Sequence, residues 1–154
     1  MKYAAATSVG ADRSRAEIER TLQRYGATGF LYGWKEDQAV IGFHMQDRQI
    51  KFILTMPDKQ DEVFWKTPGR HRRRKEPQAY AAWEQATRQR WRALALAVKA
   101  KLEAVDAGIA SFETEFLPYI VLPGGLTVGD FMVPQIEQAY LTGQVPKMLP
   151  ALTE

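Results

Sequence analysis

Between Pro77 and Gly108, Tyr80, Trp83, Thr87, Trp91, Leu94, Val98, Leu102 and Val105 recur every three or four residues. At 3.6 residues per turn they form one face of a helix about eight turns long. Pro77 suits the first turn, where its missing N–H is no loss, and Gly108 suits the end. A helix this long cannot bury its stripe on itself. The rest of the chain must supply a second layer.

That layer is legible upstream, where the period changes from helical to two. Phe30, Tyr32 and Trp34 alternate with Gly29, Leu31 and Gly33. Ala39, Ile41, Phe43 and Met45 alternate with Val40, Gly42 and His44. Ile50, Phe52, Leu54 and Met56 alternate with Lys51, Ile53 and Thr55. Short polar stretches separate the runs, which is the pattern of a three-stranded antiparallel meander. Apolar residues on both faces of the first two strands imply more than one covered face.

The flanks read as helical. Ser14 and Glu17 have capping-box spacing, and Ile18, Leu22 and Tyr25 follow up to Gly26. Ser111 to Leu117 reads as a short helix stopped by Pro118. Tyr119 to Leu122 and Leu126 to Val128 read as a small hairpin across Pro-Gly-Gly. Thr127 to Asp130 is a second capping box, opening a helix with Phe131, Ile136 and Tyr140 that Pro134 interrupts and Gly143 ends. The expected fold is α+β: an N-terminal helix, a three-stranded antiparallel meander, a long helix packed on the sheet and a small helical C-terminal part. One domain, 14–143, would lie between a flexible leader, 1–13, and a tail, 144–154.

Composition narrows the function. A chain of 154 residues, 45% apolar and 25% charged, can bury a real core. No apolar stretch approaches the roughly 18 residues of a membrane span, and the N-terminus lacks a signal-peptide pattern. The absence of cysteine excludes disulfides, thiolate zinc sites and a cysteine nucleophile. It fits a reducing, cytoplasmic setting. No phosphate loop, dinucleotide fingerprint or nucleophile elbow is present. A non-enzymatic protein without cofactor, catalytic residues or metal is the expectation.

The net charge of +3 hides an asymmetry. Residues 1–64 carry nine Lys/Arg against nine Asp/Glu, residues 65–108 eleven against four, and residues 109–154 one against five. The basic middle opens on "GRHRRRKEP", 69–77, with Arg70, His71, Arg72, Arg73, Arg74 and Lys75 in one run. Alone, such a run reads as a solvated loop or a localisation-like tract. The helix behind it adds Arg88, Arg92 and Lys99, within about 40° of each other and beside the apolar stripe. That would line the seam of helix and sheet as a track for a phosphate backbone. Glu84 and Glu103, four residues from Arg88 and Lys99, offer the ordinary alternative of pairing along the helix. Trp65, in polar sequence just ahead of the run, is the aromatic expected to be exposed and free to stack on bases. The other aromatics read as core.

The remaining chemistry is thin. His44 and His71 have no cysteine to complete a zinc shell. His71, among cations, would stay neutral and be a poor general acid at neutral pH. Glu113, Glu115 and Asp130 would have to converge to hold Mg²⁺ as in a nuclease.

The segments RYGATGFLYGW (24–34), AVIGFHMQDRQIKFILTMPD (39–58), WEQATRQRWRALALAVKAKLEAV (83–105) and IVLPGGLTVGDF (120–131) resemble a family of short phage and prophage proteins. The resemblance implies a mobile-element context and no agreed activity, so it transfers no site residues. The element order resembles the core of phage single-strand annealing proteins of the Red-beta and Erf class. That likeness implies a basic groove between sheet and helix, with Arg72, Arg73, Arg74, Arg88, Arg92 and Lys99 on phosphates, and a homo-oligomer. Together the residues and resemblances give a nucleic-acid-binding protein of phage or prophage origin, favouring single-stranded DNA and annealing strands. The second reading is an accessory factor that docks on a host defence or replication complex. A metal-dependent nuclease is the third.

Overall fold

The computed structural model describes residues 2–70 and 72–145. In chain order its elements are α1 (Lys2–Arg24), β1 (Gly29–Lys35), β2 (Gln38–Met45), β3 (Arg48–Thr55), α2 (Glu62–Trp65), α3 (Glu76–Asp106), α4 (Phe112–Phe116) and α5 (Val128–Thr142), with a 3₁₀ turn at Leu117–Tyr119. This is the expected α+β order.

The strands form one antiparallel sheet, β1-β2-β3. Its register sets Tyr32 beside Ile41 and Ile41 beside Phe52. Because side chains alternate, the even residues of β1 and β3 and the odd residues of β2 share the inner face. Gln46 and Asp47 turn the second hairpin with φ of 49° and 60°, the mirror-image turn that matches strand twist.

Two helices cover the inner face. Trp83 Nε1 donates to the Pro57 carbonyl at 2.7 Å, so α3 starts where β3 ends and runs back antiparallel to it. At the far end, the Tyr25 hydroxyl, just past α1, donates to Glu103 at 2.9 Å. α1 and α3 therefore run side by side in one direction. Between them and the sheet lie Ile18, Leu22, Ile41, Phe43, Ile50, Trp91, Val98 and Leu102, each almost wholly buried. Each such side chain contributes about 1.5–3 kcal/mol over its exposed state. Phe116 of α4 closes the core, edge-on to Phe43 at 5.8 Å. Ile120 bridges Ile50, and the Val121 N–H donates to the Gln49 carbonyl at 2.8 Å, which covers part of the β3 edge.

Three boundaries differ from the sequence reading. α1 begins at Lys2, so 2–13 continue the helix and Ser14 lies inside it rather than capping it. Ala4, Ala5 and Ala6 are strong helix formers, and Gly10 costs only about 1 kcal/mol against alanine. α2 lies unforeseen in the loop after Pro57; the Asp61 carboxylate caps it by accepting from the Val63 N–H at 3.1 Å. α5 runs through Pro134 without interruption. Pro134 is the seventh of fifteen helix residues, so α5 forgoes one backbone hydrogen bond there, while the Thr127–Asp130 capping box anchors the turn before it. Of the tail, 146–154 lie outside the described residues, as does His71.

The N–H of Thr127, with its hydroxyl, holds the Asp130 carboxyl below its ordinary value. A depressed carboxylate stabilises above its unfolded pKa of about 3.9 and loses that contribution as the pH falls through the lowered value. Asp130→Asn should therefore lower the thermal midpoint at pH 7, and by less as the pH falls to 2. Equal effects at both pH values would contradict the capping role.

Candidate nucleic-acid interface

The described residues of the basic run belong to a folded loop. Lys66 bridges Arg73, the Arg74 N–H donates to the Trp65 carbonyl at 2.7 Å, and the Thr67 N–H donates to the Arg72 carbonyl at 2.9 Å. Gly69, at φ 81°, permits the reversal between the two arms. Two arginines also hold the loop together. Arg74 is half-buried and donates to the Phe64 carbonyl at 3.3 Å. Arg73 lies 5.6 Å from the Trp65 ring centre and keeps its outer side exposed. Lys66 pairs with Glu62 at 2.8 Å, and that hydrogen bond holds the Glu62 carboxyl below its ordinary value. Arg70, Arg72 and Lys75 stand exposed.

Trp65 is half-buried rather than exposed, with its Nε1 donating to the Lys59 carbonyl at 3.4 Å. The exposed tryptophan is Trp34, at 58% of its surface. The Met56 N–H donates to the Asp37 carbonyl at 2.7 Å, which ties the turn after Trp34 to the end of β3. Trp34 therefore lies at the end of the sheet where α3 begins. Strand alternation alone assigned it to the core. The missed signal was its place beside the polar Lys35-Glu36-Asp37 turn, where the covering layer thins.

Arg88, Arg92 and Lys99 are all exposed. Among the described residues none of them has a carboxylate partner: Glu84 does not pair with Arg88, and Glu103 accepts from Tyr25. The helical repeat puts Glu103 on their side of α3. Because Glu103 meets Tyr25, that side borders α1, not the sheet as the sequence suggested. The sequence pattern had no means of showing that a second helix would lie there.

α1 contributes cations of its own. Arg13, Arg20 and Arg24 are exposed and lie opposite the buried Ile18 and Leu22. Their spacings of seven and four mirror the four and seven of Arg88, Arg92 and Lys99, a signal that the sequence reading passed over. With Arg90, exposed on the other flank of α3, the described residues of the two helices carry seven exposed cations, with the exposed Glu17 and Glu103 among them.

The carboxylates do not converge. Glu113 pairs with Arg48 at 2.6 Å, Glu115 with Lys101 at 3.3 Å, and Asp130 caps α5. Among the described residues no three His, Asp or Glu side chains gather as metal ligands. Nor is any helix there long and apolar enough to cross a membrane.

Loop order and phosphate contact should separate by mutation. Arg74→Ala should cost about 1 kcal/mol of stability through its lost hydrogen bond. Arg72→Ala should stay within about 0.5 kcal/mol. Urea midpoints of the two variants check this; equal midpoints would contradict the bracing role of Arg74.

No family model, no curated protein and no solved structure matches this chain.

Proposed function

We propose that this protein binds the sugar-phosphate backbone of nucleic acid and performs no chemistry on it. The contacts would come from Arg70, Arg72, Arg73 and Lys75 of the loop and from Arg88, Arg92 and Lys99 of α3. One observation carries the reading: Arg88, Arg92 and Lys99 stand exposed along about 16 Å of helix with no carboxylate partner among the described residues. Cations already paired gain little from a phosphate, whereas unpaired ones release the counterions that drive such binding. Arg74 takes a bracing role within the loop.

Preference for single strands rests on Trp34, an exposed ring near the start of α3 on which an unpaired base can stack. Strand annealing and a phage or prophage setting belong to the same proposal and rest on the sequence resemblances alone.

Fluorescence anisotropy with short labelled DNA and RNA, single- and double-stranded, tests the reading. Saturable binding is expected, tightest for single strands. Trp34→Ala should cost about 1–3 kcal/mol with single strands and almost nothing with duplex. A flat response with every probe would overturn the proposal and favour a protein target. Cleavage that requires Mg²⁺ would favour the nuclease.

A further inference from the structure

The outer face of the sheet and helix α5 are adjacent, and each carries exposed apolar side chains. The strand register sets Leu31, Gly42 and Lys51 in one row of that face, and Gly33, Val40 and Ile53 in the next. Leu31 is 64% exposed and Ile53 49%. A Cβ added at Gly33 would meet nothing within 4 Å, so the surface is low and open above.

Helix α5 stands beside β3 and buries none of its residues. Lys51 and Ile53 of the sheet, with Gly129, Asp130, Val133 and Pro134 of α5, line an open cleft of about 470 Å³. The helical repeat places Tyr140, 88% exposed, and Leu141 on the same side of α5 as Val133. A helix of 15 residues is marginal in water unless its apolar side is packed.

We propose that a second copy of this chain supplies the cover, with α5 of each protomer laid on the outer sheet face of the other in a two-fold dimer. Charge selects this occupant. The outward positions of the three strands carry no carboxylate and, among the described residues, leave Lys35 free, while Lys51 donates to the Gly125 carbonyl at 3.1 Å. Helix α5 has neither lysine nor arginine, and besides the capping Asp130 it carries Glu137, on the side of Val133 and Tyr140. Helix on sheet is therefore attractive, and sheet on sheet sets lysines against lysines. Size agrees. Three strands about seven residues long project on the order of 300 Å². A helix of this length projects about 200 Å². Each copy offers both, on the order of 500 Å² in projection, which is within a factor of about two of the roughly 800 Å² of accessible surface per partner in a stable dimer. The two-helix basic surface lies on the opposite side of the sheet, so this inference stands apart from nucleic-acid binding.

Sedimentation equilibrium without nucleic acid tests it. The unsubstituted chain should weigh as a dimer at micromolar concentration. Leu31→Lys with Ile53→Lys should halve the mass, as should Ile136→Glu with Tyr140→Glu. An equal mixture of the two variants should recover the dimer, because one contact is intact and the other sets lysine against glutamate. A monomeric parent at every concentration would overturn the proposal. So would a dimer that either variant leaves intact, or a mixture that stays monomeric. Should a charged variant fail to fold, cysteine substitution gives a second reading, because the chain has no cysteine of its own. Leu31→Cys mixed with Tyr140→Cys should yield a mixed disulfide on mild oxidation, and its absence would equally overturn the proposal.

Discussion

Trp91→Ala should lower the unfolding free energy by about 3–5 kcal/mol, seen as a fall in the urea midpoint at an unchanged slope. Trp91 is fully buried midway along α3, with its ring 5.9 Å from Tyr32 on β1. Alanine would open a cavity between the long helix and the sheet, where neither layer can collapse without moving the other. The indole N–H of Trp91 is buried with no hydrogen-bond partner. Trp91→Phe discards that orphaned donor and should cost less than half as much. At Trp83, whose N–H reaches the Pro57 carbonyl at 2.7 Å, the same change removes a made bond and should cost more than at Trp91. An unchanged midpoint for Trp91→Ala would mean that α3 is not packed on the sheet.

Replacing Arg88, Arg92 and Lys99 together by alanine should weaken single-strand binding and flatten its salt dependence. Each phosphate contact on a single strand contributes about 0.7 to the slope of log affinity against log salt, so three lost contacts remove about two units. The loss should be equal for all sequences, because phosphate contacts carry no base information. Stability should stay within about 0.5 kcal/mol, since all three side chains are exposed. A triple variant with the parent slope would move the binding surface elsewhere, with Arg13, Arg20 and Arg24 of α1 as the next cations to test.

The fold was legible where one periodicity dominated over a long span. Trp83, Thr87, Trp91, Val98 and Leu102 are buried as their spacing required, with Leu94 half-buried among them, and both hairpins turn at their polar breaks. Boundaries failed where a local signal met a stronger neighbour. Ser14 has the chemistry of a cap, yet the alanines before it continue the helix. Pro134 has the chemistry of a breaker, yet α5 continues through it from a first turn that the Thr127–Asp130 cap holds. The candidate site was harder to read because exposure depends on tertiary neighbours. Trp34 and Trp65 each sit beside polar residues in sequence. Only the packing of Arg73 and the Lys59 carbonyl against Trp65, and the open end of β1 around Trp34, reverses their expected roles. The position of α1 along α3 decides what borders the flank of Arg88, Arg92 and Lys99, and no pattern within α3 encodes it.

The central claim is that unpaired cations on the loop and on α3 hold a phosphate backbone. The most direct measurement is the affinity of the unsubstituted protein for a labelled single strand across a series of salt concentrations. With about four to six phosphates contacted, log affinity should fall against log salt with a slope of roughly −3 to −4. A slope near zero, or no binding at the lowest salt, would contradict it.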